Sequence, residues 1–283
     1  MISAGSQRVN YWWRVFATGL SFAVFGLGGP IIAGTLALVL LVIPMSEQRR
    51  CELSRNTIRS AFRRYIQFMK ACGLLTYEIQ GAQHMPQGGQ LVIANHPSLL
   101  DVVFLMALID GSNCIVRDGL LRNRFTRSPI SAARFIRNND PNLVENSKAS
   151  LARKERLIIF PEGTRSRPGE PYKFQRGAAN IALHAQCDIA PVLINCSPAT
   201  LMKHQKWYNI PYKPPHFVIA FQSPFDIAPY ANQIDNDVPQ CKVARQLTRD
   251  LVSYYKEKTQ AFNEAIYTRS STSNCEQHIS EAT

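Results

Sequence analysis

The sequence lacks the patterns by which proteins hold a metal ion or a disulfide framework. Its seven cysteines are scattered and none forms a Cys-x-x-Cys pair; they occupy positions 51, 72, 114, 187, 196, 241 and 275. None stands at a ligand-like spacing from the six histidines, so no zinc site is predicted. A chain of 283 residues can bury a core that needs neither metal nor disulfide. Isolated cysteines in an odd number are typical of reduced, mostly buried thiols in a protein that faces the cytosol.

Two further motifs are absent from the sequence, and their absence disfavours two classes of function. No Gly-x-Ser-x-Gly motif occurs, so a serine nucleophile on a sharp strand-to-helix turn is not predicted, although Ser98 lies close to His96. No recognisable nucleic-acid-binding motif accompanies the net charge of +12, so nucleic acid is the least favoured partner. An anionic membrane and an acidic substrate remain as explanations of the positive charge.

Charged residues are also absent from residues 15–43, a stretch of 29 residues. About 20 apolar residues suffice to span a bilayer, whereas the apolar part of a signal peptide is about 7–15 residues long. Glycine and proline interrupt the stretch at residues 26–30, so one kinked span and a re-entrant pair of shorter helices are both compatible with it. Aromatic residues at 11–13 precede it, as is common at a membrane surface. We predict a membrane anchor over residues 1–45.

Basic residues crowd the segment directly after this anchor, between Arg49 and Lys70. The positive-inside rule therefore predicts that the rest of the chain faces the cytoplasm. Apolar residues recur in the segment at helical spacing, which predicts a basic amphipathic helix over residues 46–75. Such a helix lies on anionic headgroups or packs its apolar face on the protein core, and the two are compatible.

After Gly73, apolar strand-like runs alternate with helical segments. The predicted strands are residues 76–79, 91–94, 114–116, 134–136, 157–160, 189–194 and 217–221, and the predicted helices are residues 99–109, 143–155, 178–185 and 240–262. This alternation predicts an α/β fold with a mainly parallel central sheet flanked by helices. We expect this catalytic domain to cover residues 76–267 and a polar tail over residues 268–283 to be disordered.

The motif Asn95-His96-Pro97-Ser98-Leu99-Leu100-Asp101 follows the second predicted strand. A histidine at a strand-to-helix turn points to the rim of the sheet, and with Ser98 as the helix N-cap, Asp101 reaches back to one ring nitrogen. The carboxylate would fix the tautomer and stabilise the imidazolium, so that the other nitrogen can take a proton. In isolation, a structural hydrogen bond is the commoner explanation of such a pair.

A second motif, Phe160-Pro161-Glu162-Gly163-Thr164-Arg165-Ser166, follows the strand predicted at 157–160. Gly163 allows a ligand to approach the backbone closely, and Arg165 can hold two phosphate oxygens at once. Adjacent parallel strands deliver both motifs to the same rim of the sheet, where open α/β folds bind their ligands. A base beside a phosphate-sized cationic site indicates acyl or phosphoryl transfer on an anionic hydroxyl compound.

These two motifs resemble the HX4D and EGTR signatures of the glycerolipid acyltransferases, in particular the PlsC-type 1-acylglycerol-3-phosphate acyltransferases. The run Ile189-Ala190-Pro191-Val192 resembles the family's proline-containing fourth block, and the resemblance covers roughly residues 76–200. It implies a membrane enzyme of phospholipid biosynthesis, at the cytoplasmic face of a bacterial-type inner membrane. Its co-substrate would be an acyl-carrier-protein or coenzyme A thioester, and its acceptor the hydroxyl of a lysophosphatidate-like lipid. The resemblance implies no cofactor, no metal and no acyl-enzyme.

Roles for individual residues follow from the same resemblance. His96 is the general base and Asp101 orients it. The residues implicated in binding the acceptor are Asn95, Ser98, Arg137, Glu162, Gly163, Thr164 and Arg165.

The second block departs from the family pattern. Phe135-Ile136-Arg137 is followed by Asn138, and the usual upstream glycine is missing. Either Arg137 or Arg134 takes over the phosphate contact of that block, or the acceptor is another amphiphile, for example from a specialised lipid or polyene pathway. A third hypothesis is a non-catalytic protein that binds anionic lipid, but lipid binding requires neither His96 nor Asp101.

Overall fold

Seven short strands form one sheet in the computed structural model, which describes residues 4–122, 130–167, 169–236 and 238–280. The strands are β1 Thr76–Gln80, β2 Leu91–Ala94, β3 Ser112–Val116, β4 Ile136–Arg137, β5 Arg156–Ile159, β6 Ile189–Ser197 and β7 His216–Phe221. Their order across the sheet is β1-β7-β6-β2-β5-β3-β4. Neighbouring strands pair in parallel except for β6 and β7, so the predicted α/β fold with a mainly parallel sheet is confirmed.

Helices precede, connect and follow these strands. Those whose bounds lie within the described residues are α1 Ala4–Val42, α2 Glu47–Ala71, α3 Asp101–Leu108, α4 Asp118–Arg122, α5 Leu143–Ala152, α6 Gly177–Ala185, α7 Ala228–Asp235 and α8 Gln240–Ser280. A 3₁₀ turn, Ala82–His84, follows β1.

The central strands are apolar on both faces because helices cover both faces of the sheet. In β2, Val92 and Ala94 join one core together with residues of α2 and α3, including Ile66 of α2. Leu91 and Ile93 point the other way, into a core shared with α6 and α8. All four β2 residues are completely buried, which fixes the register of the strand that leads to His96.

Helix α1 runs without a break through Pro30, which excludes the alternative of two shorter helices. Its residues 10–42 are long and apolar enough to cross a membrane by length and composition, and an 18-residue window among them has a mean hydropathy of 2.2. Ala17 and Ser21 are completely buried on one side of α1, and the Tyr65 hydroxyl of α2 donates to the Ser21 carbonyl. Large apolar side chains on its other side are exposed: Trp12, Phe16, Leu20, Val24, Leu27 and Ile31.

Helix α2 packs its apolar face on the core, as one of the two predicted arrangements required. Ile58, Ile66 and Met69 are buried, whereas Arg63 and Arg64 are exposed. An ion pair fastens the helix to the sheet: Arg55 Nη1 lies 2.9 Å from Glu155 Oε1, and both side chains are largely buried. The exposed arginines on the opposite face stay available to anionic headgroups.

Two predicted boundaries near the site are wrong. Helix α3 begins at Asp101, and Ser98 does not cap it, because the Asp101 carboxylate accepts the Ser98 N–H at 2.7 Å and closes a turn ahead of the helix. The predicted strand 134–136 is shifted to Ile136–Arg137. Arg134 has a φ of +55°, a left-handed conformation that a strand does not accommodate.

The tail over residues 268–283 is helical in the structure as far as Ser280, and its predicted disorder stays a prediction. Helix α8 continues to that residue, since nothing between Gln240 and Ser280 is a glycine or proline that would end it. Residues 281–283 lie outside the described residues.

Candidate active site

The sheet brings the two sequence motifs to one rim. Strand β2 lies between β6 and β5, and its register pairs Ile93 with Ile159. His96 and Glu162 each stand three residues beyond that pair, at the carboxyl ends of adjacent parallel strands. Strand β3 is the next neighbour of β5, so the residues after Val116 emerge at the same rim.

His96 and Asp101 form the predicted pair. Nδ1 of His96 lies 2.9 Å from Oδ2 of Asp101, which leaves Nε2 as the nitrogen directed away from the carboxylate. Asp101 is completely buried, and its Oδ1 has no hydrogen-bond partner among the described residues. Burial raises the pKa of the Asp101 carboxyl, opposed by the hydrogen bond from His96, the charge of the imidazolium and the Ser98 amide. A carboxylate in this position can stabilise the imidazolium at the moment His96 takes a proton from a substrate.

The main chain of His96 is fastened to the second motif. Its N–H donates to Glu162 Oε1 at 3.2 Å and to Ser166 Oγ at 3.3 Å, and its carbonyl accepts the Ser166 N–H at 2.7 Å. The Ser166 hydroxyl donates to Glu162 Oε1 at 2.7 Å. The imidazole ring stacks on Phe160, with 4.4 Å between ring centroids. These contacts fix both the position and the tilt of the ring.

The Glu162 carboxylate is therefore engaged by other groups of the protein. Its carboxylate is directed at the His96 amide, and burial raises its pKa against the hydrogen bonds from Ser166 and His96. Because a carboxylate repels a phosphate, these contacts favour a positioning role for Glu162, and its contact with the acceptor stays a prediction.

Asn95 and Ser98, also predicted to contact the acceptor, are buried as well. The Asn95 amide donates to the Ile194 carbonyl at 2.8 Å and accepts the Ile194 N–H at 2.7 Å, which ties the end of β2 to β6. Ser98 is completely buried within the turn before α3, where its hydroxyl accepts the Leu100 N–H at 3.4 Å. Neither side chain is directed at solvent, and both hold the His96 loop in place.

Gly163 and Thr164 form the turn beside the catalytic pair. Gly163 has a φ of +66°, which strains any residue with a Cβ, and a Cβ there would lie 3.0 Å from Nε2 of Gln175, whose side chain would have to shift. Thr164 is half-buried in the same turn. Its neighbour Arg165 donates from Nη1 to the carbonyls of Leu201 and Met202, at 2.6 and 3.2 Å. Within the described residues only Nη1 of Arg165 is engaged, so the rest of the guanidinium can bind a ligand.

A second cation, Arg117, stands at this turn and was not among the predicted site residues. It follows β3 directly, and its Nη2 donates to the Gly163 carbonyl at 3.2 Å. Desolvation and the nearby charge of Arg117 lower the pKa of Arg165. Two guanidinium groups close enough to repel each other form a site that an anion stabilises. Arg117 stands immediately after a predicted strand, and that position in the sequence could have identified it as a site residue.

Of the two arginines considered for the second block, the structure leaves one near the rim. The register pairs Arg137 with Val116, so Arg137 lies beside the end of β3 from which Arg117 emerges, and its side chain is exposed. Arg134 instead forms an ion pair with Glu47 in the first turn of α2. The geometry therefore favours Arg137 over Arg134, and which of the two contacts the acceptor stays a prediction.

A histidine supported by a buried aspartate, beside two guanidinium groups at the rim of an α/β sheet, defines a transferase-type site. Such a site removes a proton from a hydroxyl compound that carries an anion. The comparisons agree: residues 76–195 match the protein-family model described as Acyltransferase. The match is confined to that segment, which is similar in sequence to the acyltransferase family.

The relatives are enzymes with one common name. The chain is 29% identical over 170 residues to the sheep 1-acyl-sn-glycerol-3-phosphate acyltransferase alpha, covering 56% of this chain and 58% of that protein. It is 34% identical over 117 residues to the Helicobacter pylori enzyme named 1-acyl-sn-glycerol-3-phosphate acyltransferase, covering 38% of this chain and 49% of that one. The chain thus spans less than two thirds of the length of these relatives.

The fold has a solved counterpart. The crystal structure of the 1-acyl-sn-glycerophosphate acyltransferase PlsC from Thermotoga maritima superimposes with a TM-score of 0.62, at 16% sequence identity. The superposition covers 88% of this chain and 98% of that one, so the likeness includes helices outside the sheet domain.

Proposed function

We propose that this protein transfers an acyl chain from an acyl-carrier-protein or coenzyme A thioester to the hydroxyl of a lysophosphatidate-like acceptor, giving phosphatidate. One observation carries the proposal: a solvent-reachable His96, supported by the buried Asp101, lies at the same rim as Arg117 and Arg165. The names of the relatives described above are consistent with this acceptor. The co-substrate thioester supplies the acyl group, and the proposal requires no metal or other cofactor.

The chemical step follows from the direction of the imidazole. Nε2 of His96 accepts the proton of the acceptor hydroxyl while the oxygen attacks the thioester carbonyl, and Asp101 stabilises the resulting imidazolium. The tetrahedral intermediate collapses to the ester and expels the thiolate, which takes the proton back from His96. No covalent acyl-enzyme is formed. Base catalysis of this kind contributes roughly 10²–10⁴-fold, and the remainder comes from positioning of the two substrates.

Recognition of the acceptor phosphate falls to the cationic rim. Arg165 presents Nη2 and Nε, Arg117 presents the part of its guanidinium not bonded to Gly163, and Arg137 adds charge from the neighbouring strand end. Guanidinium groups bind phosphate through paired N–H donors, so this cluster can orient the acceptor and bring its hydroxyl to Nε2.

Membrane attachment completes the proposal. The exposed apolar side of α1 and the exposed arginines of α2 suit a protein seated on the cytoplasmic face of a membrane, where a lipid acceptor is found. Its ligands are then membrane lipids, the lysophospholipid and the thioester donor. A different amphiphilic acceptor is the second candidate, favoured only by the altered second block around Arg137 and Asn138.

The test is product analysis with a matched histidine control. Purified full-length protein is incubated with one acyl thioester and a panel of acceptors, and products are identified by mass spectrometry. We expect phosphatidate from lysophosphatidate, loss of product in His96→Ala, and full activity in His184→Ala, whose side chain is exposed on α6. Near wild-type turnover by a folded His96→Ala protein would sink the mechanism. Equal activity on a dephosphorylated acceptor would remove lysophosphatidate as the preferred substrate.

A further inference from the structure

The connection between β6 and β7, residues 198–215, exposes aromatic side chains that a soluble surface usually hides. Trp207 is 46% exposed, Tyr208 43% and Tyr212 88%. Three exposed lysines accompany them, Lys203, Lys206 and Lys213, and no acidic residue occurs between Asp188 and Asp226. Exposed aromatic rings among lysines, without a carboxylate, have the chemistry of a surface that contacts anionic headgroups. We call residues 198–215 the β6–β7 loop.

This loop is continuous with the exposed side of α1. The Trp207 ring lies 3.2 Å from where a Cβ would stand on Gly19 and 6.2 Å, centroid to centroid, from the Phe22 ring. The Tyr212 ring lies 5.2 Å from Tyr11, and its carbonyl accepts a hydrogen bond from Arg14. The loop therefore extends the apolar face of α1 sideways, with its lysines at the edge.

The same loop reaches into the active site. Its Leu201 and Met202 carbonyls accept the two hydrogen bonds from Arg165 Nη1. Leu201 and His204 both have positive φ values, +52° and +66°, which non-glycine residues adopt only where the surrounding structure holds them. The position of the loop thus fixes the position of the Arg165 guanidinium.

We propose that the β6–β7 loop is a second membrane contact, seated on anionic phospholipid headgroups beside α1, and that this seating positions Arg165 for an acceptor held in the same bilayer. The occupant is a bilayer because the surface combines interfacial aromatics with lysines and adjoins the apolar side of α1. The inference rests on the proposed function, since it gives Arg165 its acceptor at the membrane surface.

The first experiment measures how deep Trp207 lies in a membrane. The sequence has three tryptophans, so a Trp12→Phe, Trp13→Phe protein reports on Trp207 alone. We expect its emission to shift to the blue and to be quenched by brominated lipids in vesicles of phosphatidylcholine mixed with phosphatidylglycerol, and less so in phosphatidylcholine alone. An unquenched Trp207 in protein that floats with the vesicles overturns the proposal. The proposal is also overturned if, without vesicles, Trp207 becomes shielded from solvent as the protein concentration rises. The loop would then contact a second copy of the protein.

The second experiment separates docking from chemistry. In Lys203→Gln, Lys206→Gln, Lys213→Gln protein, α1 still carries the chain to vesicles, but the KM for vesicle-borne lysophosphatidate should rise roughly tenfold with little change in kcat. Turnover of a water-soluble short-chain lysophosphatidate should stay within about twofold, because no surface is involved. The matched control is Lys148→Gln, Lys242→Gln, Lys256→Gln, which removes three exposed lysines from α5 and α8.

The outcomes are distinguishable. An unchanged KM for the vesicle-borne acceptor in the loop variant, or an equal rise in the control variant, overturns the proposal. Quenching of Trp207 in a wild-type protein that acylates none of the acceptors leaves the membrane contact standing and removes the proposed function instead.

Discussion

The buried Asp101 carboxylate interacts with three groups of the protein instead of with water: the His96 ring, the Ser98 amide and the charge of Arg165. Burial makes its negative charge costly, so the ion pair that forms when His96 takes a proton is stronger than the same pair in water. Five residues of sequence separate the two side chains, yet the pair owes its strength to the complete burial of one of them.

The first prediction follows from this pairing. Asp101→Asn keeps the size of the side chain but removes the charge that favours the imidazolium and can present the wrong group to Nδ1. We expect kcat to fall roughly 10³–10⁴-fold at saturating acceptor. The measurement is turnover alongside thermal unfolding in detergent. A folded variant that retained more than a tenth of wild-type kcat would contradict the proposed role of Asp101.

The second prediction concerns the two guanidinium groups. Arg165→Lys keeps the charge but not the fork, so it cannot hold the loop carbonyls and two phosphate oxygens together. Arg117→Gln removes the charge behind Gly163. Both should raise the acceptor KM about tenfold or more, as losing a charged hydrogen bond usually does, with little change in the donor KM. Parallel kinetics on a dephosphorylated acceptor supply the control, and an equal defect there would exclude phosphate recognition.

At the scale of elements, helix α2 is held by one buried carboxylate. Glu155 binds Arg55 and Arg153 and accepts hydrogen bonds from Asn113 and Ser150, joining α2 to β3 and α5. Desolvation raises its pKa, but the hydrogen bonds from Arg55, Arg153 and Ser150 more than offset this and bring it to about 2.

The third prediction is the pH dependence of this network. Because the pKa of Glu155 is lower in the folded protein than in the unfolded chain, its stabilisation is complete above the unfolded pKa of about 4.3. It is lost as the pH falls from there towards about 2. In Glu155→Gln protein we expect a lower melting temperature at neutral pH and a smaller further loss in that window. Thermal melts of both proteins in detergent across the pH range are the measurement, and parallel pH profiles would refute the assignment.

The fourth prediction separates the two sides of α1. Leu27 and Ile31 are 66% and 64% exposed, so Leu27→Lys, Ile31→Lys should release the protein from the carbonate-resistant membrane fraction with little change in melting temperature. Leu120→Lys, at an exposed apolar residue of α4, is the control and should leave fractionation unchanged. Retention of the double variant in carbonate would show that the exposed side of α1 is not the anchoring surface.

At the scale of the whole molecule, the candidate catalytic and phosphate-binding side chains lie at one rim of the sheet. The features proposed to contact a membrane lie together on one side of the molecule. Helix α1 and the β6–β7 loop adjoin each other through Trp207 and Tyr212. Arg165 links that side to the rim through Leu201 and Met202. Under the proposed function, a lipid acceptor would keep its chain in the bilayer while its phosphate and hydroxyl reach His96 and the arginines of the rim.

The fifth prediction tests this arrangement in the whole protein. Residual binding of the Leu27→Lys, Ile31→Lys protein to anionic vesicles should weaken as salt rises, because the remaining contacts are the exposed arginines of α2 and the lysines of the loop. Wild-type binding should persist at high salt, since apolar contact with lipid is not screened. Vesicle flotation at increasing salt measures both, and salt-insensitive binding of the variant would contradict the electrostatic contact.

The sequence by itself determined the features that depend on neighbours along the chain. Alternating apolar runs predicted the α/β class, an uncharged stretch predicted helix α1, and the fixed spacing of His96 and Asp101 predicted their hydrogen bond. Each rests on periodicity or on residues within about one helical turn, where local geometry leaves few alternatives. The family resemblance added the expected role of each motif, and residues 76–195 match the acyltransferase family model.

Only the tertiary structure decided which side chains meet across the sheet. The Glu162 carboxylate lies at the His96 amide, 66 residues away, and Arg117 reaches Gly163 across 46 residues. The Asn95 amide is bonded to Ile194, 99 residues on, rather than to a ligand. Strand order and register determine these partners, and both depend on burial of the whole sheet between its helices. A short stretch of sequence carries no information about that burial.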